Sequence, residues 1–93
     1  MSRPGIDAIR ARIEARLPDA AVHVEDESHL HAGHAGAAGG AGHYRVRVTW
    51  AGYAGMSMLA RHRVVYDALA DWMPGRIHAL SITALAPSEI PHS

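Results

Sequence analysis

The chain is predicted to fold as an α+β domain, a three-stranded mixed sheet with helices packed on one face, in the order helix, strand, strand, helix, strand. Three observations carry this. Residues 43–50 alternate, with Tyr44, Val46, Val48 and Trp50 on one side and His43, Arg45, Arg47 and Thr49 on the other, the pattern of a half-buried strand. Two longer stretches instead space their apolar residues with helical period. The first two strands are joined by a loop and no helix, which predicts an antiparallel pair. The second and third are separated by a helix, which predicts a parallel, right-handed crossover.

Each element has its own signal. The first helix takes Ser2 as a cap and Pro4 in its first turn, and Pro18 stops it. Ile6, Ile9, Ile13 and Leu17 form its apolar stripe, with Arg10, Arg12, Glu14 and Arg16 elsewhere. A short strand follows over 21–25, where Val22 and Val24 alternate with His23 and Glu25. His23 then faces solvent. Residues 28–42 interleave Gly, Ala and His without any apolar period and read as a flexible loop. A loop of that length in a compact domain usually has a function or is disordered. After the second strand, Gly52 and Gly55 turn the chain. The second helix is predicted from Ser57 to about Met73, with Leu59, Val65, Tyr66, Leu69, Trp72 and Met73 as its stripe. Pro74 and Gly75 end it. The third strand spans 77–85, with Leu80, Ile82 and Ala84 on one face. Residues 87–93 read as a short polar tail, and no internal repeat is visible.

Composition narrows the function. A chain of 93 residues is one ordinary small domain. Nine basic and nine acidic residues cancel, so no net field draws the chain toward nucleic acid or membrane. Every basic residue is Arg, which excludes Lys-based chemistry. There is no Cys, hence no disulfide, thiolate nucleophile or all-thiolate metal site. No apolar run is long enough to span a membrane. Without an apolar signal core, the cytoplasm is the expected compartment.

Eight histidines stand against this plain background. His29, His31 and His34 crowd the loop, His43 opens the second strand, and His78 opens the third. Neutral imidazole is the commonest metal ligand. The predicted topology puts the loop, His43 and the start of the third strand at one end of the sheet. His31, His34, His43 and His78 gather there. His62 begins the second helix at the opposite pole and reads as a structural histidine. A loop ligand plus a strand ligand suits an incomplete metal site, finished by another molecule.

Several segments together resemble the BolA family. They are Asp26-Glu-Ser-His-Leu-His31, Gly42-His-Tyr-Arg-Val46, Gly55 before the helix, Arg61-His-Arg-Val-Val-Tyr66, and Ile77-His-Ala-Leu-Ser-Ile82 with Pro87 and Glu89. The resemblance runs from the first helix to about Glu89, so that 1–93 is one BolA-like domain. It implies a small KH-like fold of class II type. It also implies a heterodimer with a monothiol glutaredoxin and a shared [2Fe-2S] cluster. That cluster is held by the glutaredoxin cysteine and glutathione on one side and by two residues of this chain on the other. Carried over by motif, those metal ligands are His78 and, by alignment on Asp26-Glu-Ser28, His31. His29 and His34 flank that position, and the Ala/Gly run is longer than the family pattern. Imidazoles in place of two thiolates on one iron resemble the Rieske arrangement. The isolated chain is expected to be monomeric and to bind no cluster. The implied role is iron–sulfur cluster trafficking or iron homeostasis.

Two other roles compete with this one. A KH-like transcription regulator would bind nucleic acid, as KH domains clamp phosphates with a GXXG loop. Gly52-Tyr-Ala-Gly55 fits those letters, and Arg45, Arg47, Arg61 and Arg63 would form a modest basic patch. Neutral net charge makes this role secondary. An enzyme built on Asp26, Ser28 and His29 lacks a nucleophile elbow, and the chain is read as no enzyme.

Overall fold

A computed structural model describes residues 4–28 and 42–91. Helix α1 spans Ile6–Arg16, with Gly5 at its N-cap and no side-chain cap. The predicted cap, Ser2, lies outside the described residues, as do 29–41 of the loop and the last two residues of the tail. Ile9, Ile13 and Leu17 are fully buried, whereas Ile6 in the first turn is 42% exposed and stays outside the core. The strands are β1, Ala21–Asp26, β2, Gly42–Thr49, and β3, Ile77–Leu85.

The sheet has the predicted topology. Its order is β1-β2-β3. β1 and β2 are antiparallel, with Val24 opposite Val46. β2 and β3 are parallel, with Val46 opposite Ile82. Tyr44, Val46 and Val48 turn inward as the alternation predicts, and they pack with Ile9, Ile13, Val65 and Leu69 in one core. On the other face Arg45 and Arg47 are exposed, but His43 is not: it is only 8% exposed. Alternation puts His43 on the face of Arg45 and Arg47, and it is buried there beside Ser28 and Glu27.

Helix α2 spans Met58–Ala68, and the Ser57 side chain accepts from the Ala60 N–H at 3.1 Å. It ends earlier than predicted. Ala70–Trp72 continue as a separate 3-10 turn, and Leu69 at the junction is fully buried. The buried stripe is Arg61, Val65 and Ala68, spaced four and three residues apart along one face. Leu59 is 62% exposed and Tyr66 39% exposed, so neither belongs to the core stripe. Leu59 stands two residues from Arg61, on the opposite side of the helix, and the inward face carries a guanidinium instead. The predicted tail also departs from expectation. Pro87–Glu89 form a 3-10 turn, and Glu89 is tied back to α2. Among the described residues no helix is long and apolar enough to cross a membrane.

Candidate functional site

The two ends of the sheet are built differently. At the start of β3, Gly42 pairs with Ile77 but His43 pairs with Ala79. His78 is therefore an extra residue of β3 with no register partner on β2. Such a bulge re-aims a side chain, and bulges concentrate beside functional sites. Ile77 is fully buried and His78 is exposed. The His78 ring lies 5.1 Å from that of buried His43, centroid to centroid, with the planes tilted by 49°.

The backbone around this pair is fixed. The Glu27 N–H donates to the His43 carbonyl at 2.7 Å, and the Gly42 N–H to the Arg76 carbonyl at 2.9 Å. The His43 N–H donates to Ser28 Oγ at 3.0 Å, and the Ser28 N–H to Asp26 Oδ1 at 2.9 Å. Asp26 Oδ1 and Ser28 Oγ thus both accept from backbone N–H groups. Arg45 Nε sits 3.2 Å from Glu27 Oε2. Gly42 has no room for a side chain: a Cβ there would lie 2.4 Å from the Tyr44 ring. Tyr44 is buried and its hydroxyl donates to the Pro4 carbonyl at 2.5 Å. A shallow groove lined by Glu27, His43, Ala79 and Ser81 opens beside the pair.

His31, His29 and His34 lie outside the described residues. The segment that carries them leaves after Ser28 and re-enters at Gly42, both at this end. Among the described residues, no three of His, Cys, Asp and Glu come together to hold a metal. Of the side chains described here, the Asp26 carboxylate accepts from a backbone N–H and that of Glu27 faces Arg45, which leaves His78 as the accessible imidazole. That chemistry fits one iron of a cluster whose thiolates come from elsewhere.

The far end of the sheet is organised around a charge. Arg61 is only 4% exposed. Its Nη1 donates to the Ala84 carbonyl at 3.1 Å and to Glu89 Oε1 at 2.6 Å. Nη2 donates to Glu89 Oε2 at 2.9 Å, and Nε to the Met56 carbonyl at 3.1 Å. This bidentate pair plus two carbonyls satisfies the fork, as a buried guanidinium requires. Glu89 also accepts from the Ala86 N–H at 2.9 Å. The Arg61 hydrogen bonds, then that amide, hold the Glu89 carboxyl down to about 2. Tyr53, fully buried, brings its hydroxyl 3.4 Å from the Arg61 carbonyl, and burial raises its pKa against the opposing pull of Arg61.

This corrects two expectations. Arg61 is no member of a surface basic patch, which leaves Arg45, Arg47 and Arg63. The Gly52–Gly55 stretch holds a 3-10 turn over Ala51–Tyr53 that inserts Tyr53 into the core, with Gly55 at φ +82°, a value that suits glycine. Trp50 packs edge-on to Tyr53 at 5.2 Å. His62, the neighbour of Arg61, is half-buried at this end, away from His78.

A family model described as BolA-like protein matches residues 13–89. The chain belongs to the BolA-like family. It is 40% identical over 87 residues to SufE-like protein 1, chloroplastic/mitochondrial, of Arabidopsis thaliana, covering 88% of this chain and 24% of that protein. It is 42% identical over 82 residues to BolA-like protein 1 of Mus musculus, covering 88% of this chain and 58% of the relative. The chain therefore spans from about a quarter to just over half the length of these curated relatives. Among solved structures, the BolA domain of SufE1 from Arabidopsis thaliana matches with a TM-score of 0.77 at 36% identity, over 94% of this chain and 99% of that one. The matched span includes both the Arg61–Glu89 clamp and the His78 bulge. Family membership thus covers one motif that builds the fold and another that presents an imidazole.

Proposed function

We propose that this BolA-like chain shares a [2Fe-2S] cluster with a monothiol glutaredoxin and glutathione, as a binding partner and not as an enzyme. His78 supplies one imidazole, and His31, from the loop that re-enters at the same end, supplies the second. The observation that carries this reading is the bulge: an exposed imidazole set on a backbone fixed by strand pairing. Neutral imidazole is a good ligand, and the thiolates this chain lacks come from the partner and the tripeptide. The role is trafficking of clusters or iron homeostasis. Binding of nucleic acid, the second role, is weakened by the burial of Arg61 and of Tyr53 in the glycine turn.

The test is a visible absorption and circular-dichroism spectrum of cluster-loaded glutaredoxin with glutathione, before and after this chain is added. New bands at one chain per glutaredoxin are expected. An unchanged spectrum, or a stoichiometric cluster in the chain purified alone, overturns the reading. Cell fractionation checks the cytoplasmic assignment, since Arabidopsis thaliana relatives are named for chloroplast or mitochondrion.

A further inference from the structure

The ring of His43 is buried and lies against an exposed one. We propose that His43 is a positioning residue: it forms a fixed wall that holds the His78 imidazole in its ligand orientation. This rests on the reading of His78 as a ligand and adds a second residue to that site.

The argument starts with His78. An exposed histidine on a strand ordinarily samples several rotamers, and ligation must then select one of them. At a bulge the side chain is freed further from the ladder, because no residue of β2 stands opposite it. Something else has to restrict it if the site is preformed. Among the described residues, the ring of His43 lies 5.1 Å away, a separation within the range of aromatic contacts. His43 is itself buried, 8% exposed, and its backbone is held on both sides. Its carbonyl accepts from the Glu27 N–H and its own N–H donates to Ser28 Oγ. Burial also argues against His43 as the donor to a cluster carried on another protein, which has to approach from solvent. The exposed member of the pair is the ligand, and the buried member orients it.

Two substitutions separate the roles. His43→Val keeps a strand-forming side chain but has no ring to reach His78. His43→Phe restores the ring without a nitrogen. The first readout is the metal-free full chain: NMR of the His78 ring, its relaxation and its contacts with residue 43. His43→Val should give His78 the relaxation of a freely rotating surface side chain, and His43→Phe should keep it ordered. The second readout is the affinity of the chain for cluster-loaded glutaredoxin with glutathione. Loss of a pre-oriented side chain should weaken it roughly 3- to 10-fold in His43→Val, with band shape retained, and His43→Phe should recover it. Wild-type behaviour of His43→Val in both readouts overturns the proposal. So does a His43→Phe that loses the bands, because His43 would then be a ligand itself. His78→Ala in the same series reports on the parent reading alone. Should it keep the bands, cluster sharing through His78 fails, while the metal-free NMR readout still decides whether His43 orders His78.

Discussion

The two ends of this sheet each carry a family motif, and they use it in opposite ways. At one end Arg61 is buried with every donor group engaged, and it ties α2, the end of β3 and the turn at Glu89 together. At the other, His78 is exposed on a bulge. A motif match alone gives the two equal weight. Burial and hydrogen-bond satisfaction divide them: a polar side chain satisfied within the fold is an anchor, and one presented to solvent on a fixed backbone is available to a ligand.

The comparison breaks first at Arg61. Arg61→Ala should lower Tm by roughly 10 °C or more, because the Met56 and Ala84 carbonyls and the Glu89 carboxylate lose their donor together. Thermal denaturation followed by far-UV circular dichroism measures it. A melt unchanged from wild type would mean that the clamp is ornamental. Next is Gly42→Ala, which crowds a buried ring at the opposite end. The Tyr44 ring is buried and its hydroxyl is bonded to the Pro4 carbonyl, so overpacking should cost about 1–3 kcal/mol. Urea denaturation reads the loss, and an unperturbed midpoint contradicts the close approach.

Acid sharpens the contrast. Glu89 is held at about 2, below its ordinary value of 4.5. A carboxyl depressed on folding stabilises the protein above its unfolded pKa and loses that contribution as pH falls from about 4.5 to about 2. Glu89→Gln should therefore lower Tm at pH 7 and converge on wild type near pH 2. Parallel curves across that window would place the coupling elsewhere. The smallest stability effect belongs to His78→Ala, within about 0.5 kcal/mol, as for an exposed side chain away from the core.

The sheet was legible because its signals are local. Alternation over 43–50 fixed the inward face of β2, and the presence or absence of a helix between strands fixed their directions. That topology also put His78 at the end of the sheet where Ser28 and Gly42, the described ends of the loop, lie. The misses share a physical cause, which is that burial of a polar group depends on partners far along the chain. Arg61 meets Glu89 28 residues away, so no window of helical periodicity shows why a guanidinium belongs to the buried stripe. The pairing signal was still present, since Arg61 and Glu89 both stand in the segments that resemble BolA proteins. His43 shares its parity with exposed Arg45 and Arg47 yet is buried, with Ser28 and Glu27 bonded to its backbone and the His78 ring beside its own. A bulge leaves no mark in a sequence that simply reads Ile77-His-Ala-Leu80. His31 lies outside the described residues, so its proposed role as second ligand rests on the motif.

The most direct test of the division between the two ends is the visible circular-dichroism spectrum of the glutaredoxin–glutathione complex formed with His78→Ala, alongside His62→Ala. The two histidines come from the two motifs and from opposite ends of the sheet. His78→Ala is predicted to abolish the bands that depend on this chain while its far-UV melt stays near wild type. His62→Ala is predicted to leave those bands unchanged. Bands that persist without His78, or vanish without His62, would contradict the account.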